Sequence, residues 1–121
     1  MRDFRKYRIW QDAISITNKV YVITDSFPTK ETYSLSNQLQ RAVVSIASNI
    51  AEGASRTSTT EFAHFLEIAI GSAFEVETQL IIARMRNYIS QEVYQDIISN
   101  LQEEEKQINT FIQTLKPKAN G

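Results

Sequence analysis

The sequence predicts an all-α fold, an antiparallel up-down-up-down bundle of four helices, and three observations point there. Apolar residues recur at spacings of three and four through every long segment, the period of an amphipathic helix, which leaves little for a strand reading. The chain of 121 residues holds three Gly and two Pro, too little punctuation for the many turns of a β protein. The breaks that do occur are short, and short connections between long helices favour antiparallel neighbours. A chain of this length makes one domain, residues 1–121, able to bury a core without disulfides or metal.

The first helix is expected over about 7–24. Ile9, Ala13, Ile16, Val20 and Ile23 form its apolar stripe, widened by Trp10, Ile14, Thr17 and Tyr21. Asp25-Ser-Phe-Pro28 ends it, because the residue before a proline is driven out of the α region, and Phe27 is expected to tuck back under the bundle. The second helix spans about 30–54, with competing caps between Thr29 and Ser36 that leave its start the least defined boundary. Ser58 followed by Glu61 is a capping box for a third helix over about 58–87. Its seam is Phe62, Leu66, Ala69, Ala73, Val76, Leu80 and Ala83, and a second stripe of Ile70, Phe74 and Ile81 lies off to one side. Two apolar faces need two partners, so that second stripe is a candidate oligomer face. Ser90 caps a fourth helix over about 91–115, carrying Val93, Ile97, Leu101, Ile108, Ile112 and Leu115. Glu103-Glu-Glu105 sits in its middle, so at least one carboxylate lies near the core edge. Pro117 stops the helix, and 117–121 reads as a frayed tail.

Composition narrows the function classes. The absence of Cys removes disulfide staples, thiolate metal sites and Cys nucleophiles together. The basic N-terminus leads into an amphipathic segment rather than an apolar run, so neither a signal peptide nor a membrane span is expected, and the cytoplasm is the expected compartment. Thirteen Lys and Arg against fourteen Asp and Glu give no global attraction for nucleic acid or acidic membranes. Such binding would need a local patch. Arg2, Arg5, Lys6 and Arg8 against Asp3 supply one, with a net charge of about +3 and with Phe4 and Tyr7 interleaved as stacking groups. An ordinary solubilising terminus is the competing reading.

The stretch Ser45 to Arg56 carries most of the remaining chemistry. Leu39, Val43, Ile46, Ile50 and Gly53 share one helical face, and Arg41, Ser45, Asn49, Glu52 and Arg56 fall beside it. Ser45, Asn49, Glu52, Gly53 and Arg56 are read as a structural or assembly network between helices or between subunits, fixing register and orientation. A solvated face and a ligand site are the alternatives. Small residues at Ala42, Ala47, Ala51 and Ala54 permit close backbone approach, and Gly53 is tolerated in a helix where something packs against it or where it ends. Glu61 and His64 form a Glu-x-x-His pair of the di-iron kind, with Glu52, Glu67, Glu75 and Glu77 as further oxygens. His64 is the only histidine, so the second such pair cannot be made in one chain. No metal, cofactor or catalytic residue is therefore expected, and no nucleophile turn or phosphate-cradling glycine loop accompanies the serines.

Ser48-Asn-Ile-Ala-Glu-Gly53 followed by Arg56, together with Phe62-Ala-His-Phe-Leu-Glu-Ile-Ala-Ile-Gly-Ser72 and Glu75-Val-Glu-Thr-Gln-Leu80, resembles the four-helix-bundle family encoded in intervening sequences of bacterial 23S ribosomal RNA genes. Trp10-Gln-Asp-Ala13, Phe27-Pro28 and Gln38-Leu-Gln-Arg-Ala42 fit the same pattern, so the resemblance covers nearly the whole chain. The family is similar in fold to the accessory proteins of diversity-generating retroelements, which form pentameric barrels and associate with nucleic acid and a reverse transcriptase. The resemblance implies a non-enzymatic homo-oligomeric ring, a pentamer, of unsettled cellular role. It does not imply a ribosome component. This chain departs from the retroelement proteins in being nearly neutral where they are strongly basic. The expected partners are other copies of itself, RNA or DNA through the N-terminal arm, or, as the alternative, another protein.

Overall fold

The computed structural model describes residues 2–116, and the expectation of a frayed tail over 117–121 lies outside the described residues. Every regular element among them is helical: α1 Arg8–Thr24, α2 Leu35–Ala54, α3 Thr59–Met85 and α4 Gln91–Leu115, with short 3-10 turns at Phe4–Lys6 and Thr29–Glu31.

Local chemistry sets most of the boundaries. The Ser58 hydroxyl accepts from the Glu61 amide at 3.0 Å, and the Ser90 hydroxyl from the Val93 amide at 3.2 Å, so both expected caps form. α3 ends at Met85, short of residue 87, because Asn87 adopts a left-handed φ of 60°. That turn lets the Tyr88 amide reach back to the Ala83 carbonyl at 2.9 Å, closing the helix end. Lys116, which precedes Pro117, is extended at ψ 143°, as the proline ring demands.

The start of α2 is a correction. The helix begins at Leu35, later than residue 30, and Thr29–Glu31 forms a separate 3-10 turn. Both oxygens of Glu31 are engaged: one accepts from the Leu35 amide at 3.4 Å, the other from the Tyr88 hydroxyl at 2.7 Å. Tyr88 lies beyond α3, so a contact from outside the segment pins this turn and delays the helix. The Tyr88 hydrogen bond also holds the Glu31 carboxyl below its usual range.

Around the bundle, α1 packs on α2 and α4, and α3 packs on α2 and α4, with no diagonal contact between helices among the described residues. Thr17 donates to the Val43 carbonyl and Gln40 to Thr24, tying the later part of α1 to the earlier part of α2. Lys19 reaches Asp96 at 3.1 Å and Asn100 at 3.0 Å on α4. At the opposite end the Tyr7 ring lies 5.1 Å from Phe111 and 6.1 Å from Phe62. Phe27 is buried and its ring packs 5.3 Å from Tyr88, closing the other end as expected. The α3 seam from Phe62 to Ala83 is fully buried, as are Ile97, Leu101 and Ile108 of α4. Val93, assigned to the same α4 stripe by spacing, is exposed instead, because it lies in the first turn, where the α1–α4 groove opens.

Candidate functional site

The signature stretch at the end of α2 is built around a missing side chain. A Cβ on Gly53 would stand 2.7 Å from the Phe65 Cβ and 2.9 Å from the Phe62 ring, so only glycine lets α2 approach α3 here. A turn and more earlier, Ser72 of α3 donates to the Ser45 hydroxyl at 3.0 Å, and the Asn49 amide holds the same oxygen at 2.9 Å and the Ser45 carbonyl at 2.8 Å. Ser45 and Asn49 therefore join α2 to α3 within one chain. Glu52 pairs with Arg56 at 3.6 Å along its own helix, and the Arg56 guanidinium lies 4.9 Å from the Phe65 ring centre. The polar stripe is thus two separate groups, since Asn49 bonds only to Ser45 and not to Glu52 or Arg56. Within one chain, spacing that suggested a single network resolves into a Ser45–Asn49 group tied to α3 and a Glu52–Arg56 pair.

The N-terminal arm meets this same end of α2. Arg2 donates to the Ala54 carbonyl at 3.4 Å and to the Arg56 carbonyl, and its guanidinium sits 4.9 Å from the centre of the Phe62 ring. It caps free carbonyls at a helix C-terminus, where a cation is favoured. Arg5 folds over Phe4 and reaches Asp3 at 3.4 Å, and Arg8 pairs with Asp12 at 3.5 Å. Lys6 is exposed. The aromatics read from sequence as stacking groups are taken up by the fold: Phe4 packs on Trp10 with ring centres 5.2 Å apart, and Tyr7 joins the Phe62–Phe111 cluster. Lys6, Arg8 and Lys106, together with Glu103, line one depression of about 470 Å³ between the arm and α4. Lys106 was missed because only the tertiary fold brings α4 beside the arm.

α3 carries the third group. Phe74 is 56 % and Ile81 46 % exposed, while Ile70 is half-buried against the core. Ile68, Ile82 and Met85 extend the outward apolar face, and Gly71 lies among them with nothing within 4 Å of an added Cβ. Helical spacing found two of these exposed residues. It missed the rest, because their exposure depends on which side of α3 its two neighbours cover. Ile14, Tyr21 and Val22 on α1 are exposed as well.

The acidic residues do not assemble into a metal centre: among the described residues no three carboxylate or imidazole groups are placed to hold an ion. His64 is exposed. Glu104 is the most deeply buried of the acids. It is 1 % exposed, and neither of its oxygens has a partner. No helix among the described residues is long and apolar enough to cross a membrane.

The model of the family described as 23S rRNA-intervening sequence protein matches residues 5–110, from the arm through the signature stretch and α3 into α4. Among solved structures, a protein of unknown function from the S23 ribosomal protein family of Bacteroides thetaiotaomicron superimposes with a TM-score of 0.80 at 24 % identity, covering 87 % of this chain and 98 % of that one. At that identity the likeness speaks for the fold. No curated protein matches the sequence. The signature packed around Gly53 and the family match over most of the length agree, and the chain belongs to the 23S rRNA-intervening sequence protein family.

Proposed function

We propose that the protein is a non-enzymatic scaffold, an antiparallel up-down-up-down four-helix bundle that assembles into a homo-oligomeric ring. Three contacts support the antiparallel course: late α1 meets early α2 at Thr24 and Gln40, late α2 meets early α3 at Gly53 and Phe62, and late α3 meets early α4 at Arg84 and Gln91. The observation that carries the assembly is the outward face of α3. A run of exposed Ile68, Phe74, Ile81, Ile82 and Met85 around an unoccupied glycine suits another helix packing closely, and the monomer offers none. α1, on the diagonal from α3, exposes Ile14, Tyr21 and Val22. Two unlike apolar faces on opposite helices favour head-to-tail contacts that close into a ring over a self-complementary dimer. Five subunits is the number that the family resemblance implies.

Sedimentation velocity at micromolar concentration tests this. A discrete species several times the 13.9 kDa chain mass is expected, with Phe74→Glu collapsing it to monomer while helical circular dichroism stays. A stable monomer overturns the proposal.

A second reading rests on the depression shared by Lys6, Arg8 and Lys106. Repeated around a ring, these cations would concentrate positive potential for the phosphates of structured RNA or DNA. With Phe4 and Tyr7 packed inside, such binding would use phosphates and not base stacking.

A further inference from the structure

Two adjacent acids on α4 face opposite ways. Glu104 turns into the core beside α1 with both oxygens unpartnered, and Asp12 of α1 lines the same depression of about 250 Å³. Glu105 is half-buried on the side of α3, with one oxygen buried and without a partner, and Glu77 of α3 is its neighbour. α1 and α3 are the helices that pack on α4. Of the charged groups on α1 at this junction, Lys19 is engaged by Asp96 and Asn100, and Arg8 by Asp12. On α3, Arg84 is engaged by Gln91 near the turn, while His64 and Glu67 lie by Lys116 at the far end. No cation is therefore in contact with either buried acid among the described residues. The contrast with Lys19 is instructive. Four residues earlier α1 places Ser15, not a lysine, and Ser15 lines the depression shared with Glu104.

We infer that α4 is latched between α1 and α3 by protons held on Glu104 and Glu105, and that losing those protons loosens this helix before the rest of the bundle. An ionised carboxylate with buried oxygens and no cation beside it costs far more at these positions than a neutral carboxyl, and opening to water relieves that cost. Burial, with the Asp12 charge adding to it, pushes Glu104 up to about 8. Burial and the Glu77 contact do the same to Glu105, also to about 8. Once exposed, both acids return toward the ordinary value of 4.5. Below about 4.5 both states are protonated and the latch is at full strength, and it weakens as pH rises toward 8. In that window each proton released raises the opening constant about tenfold per pH unit.

Amide hydrogen exchange of the full chain tests the latch between about pH 6 and pH 8, after correction for the intrinsic exchange rate. Protection of α4 amides is expected to fall about tenfold or more per pH unit, while α2 amides fall less. In Glu104→Gln with Glu105→Gln that difference should disappear. If the double variant does not fold, Ser15→Lys is the second probe, because it brings an ammonium to Glu104 as Lys19 does to Asp96, and it should flatten the fall in α4. An α4 whose protection is flat with pH, or falls equally in wild type and variants, overturns the inference.

Discussion

Two glycines in this chain solve opposite problems. At Gly53 the obstacle is inside the molecule, where Phe65 and Phe62 stand within 3 Å of the absent Cβ. Gly53→Leu, and even Gly53→Ala, is expected to lower unfolding stability by about 1–3 kcal/mol or more, read from the urea midpoint; an unchanged midpoint would put a free surface there. Gly71 meets no neighbour within 4 Å. Gly71→Ala should therefore stabilise the isolated bundle by up to about 1 kcal/mol through helix propensity, and weaken association of subunits if another helix seats on that spot. Thermal melting and sedimentation of one variant separate the two effects. Arg2 is the third decisive residue, since its guanidinium closes the carbonyl end of α2. Arg2→Ala should cost about 1 kcal/mol in the same denaturation measurement.

α3 and α4 owe their starts to their own sequence, and every helix owes its working face to its neighbours. Ser58 and Ser90 cap α3 and α4 as their spacing announces. Ser58→Ala is expected to cost about 1 kcal/mol, measured by chemical denaturation against wild type. α2 was harder to place, because Glu31 is held by Tyr88 from beyond α3, a partner invisible to any local window. α3 shows the same division on a larger scale. Its buried seam was legible from Phe62 to Ala83 by spacing alone, whereas the extent of its exposed face, Ile68, Ile82 and Met85 included, depends on where α2 and α4 lie against it. Within α4, Glu103-Glu-Glu105 announced an acid near the core edge. The fold goes further and seals Glu104 at 1 % exposure.

At the scale of the whole molecule, three cations gather in one place although the total is close to neutral. Formal net charge is −1, yet Lys6, Arg8 and Lys106 gather where the arm meets α4. If this face takes a polyanion, the affinity for structured RNA should drop steeply between about 50 and 200 mM salt, with a slope set by the phosphates contacted. Lys6→Glu with Arg8→Glu should abolish it, and Lys106→Glu should weaken it while leaving the arm unchanged. Filter binding across a salt series decides between this and binding that ignores salt, which would exclude a phosphate-led interface.

By itself the sequence determined the four helices apart from the start of α2 and the last residues of α3, most of each buried seam, and the family. The helices and their seams depend on a period of three to four residues and on local capping, both written along the chain, and the family on the motifs between Trp10 and Leu80. The tertiary structure decided the rest: that Gly53 is a contact between α2 and α3, that Asn49 and Arg56 belong to different groups, that Phe4 and Tyr7 are packing residues, and that Glu104 is sealed without a partner. Periodicity states which side of a helix turns inward. It carries no record of the distance to the next helix or of which side chain waits there, and those distances separate a solvated acid from a buried one and a free cation from a helix cap.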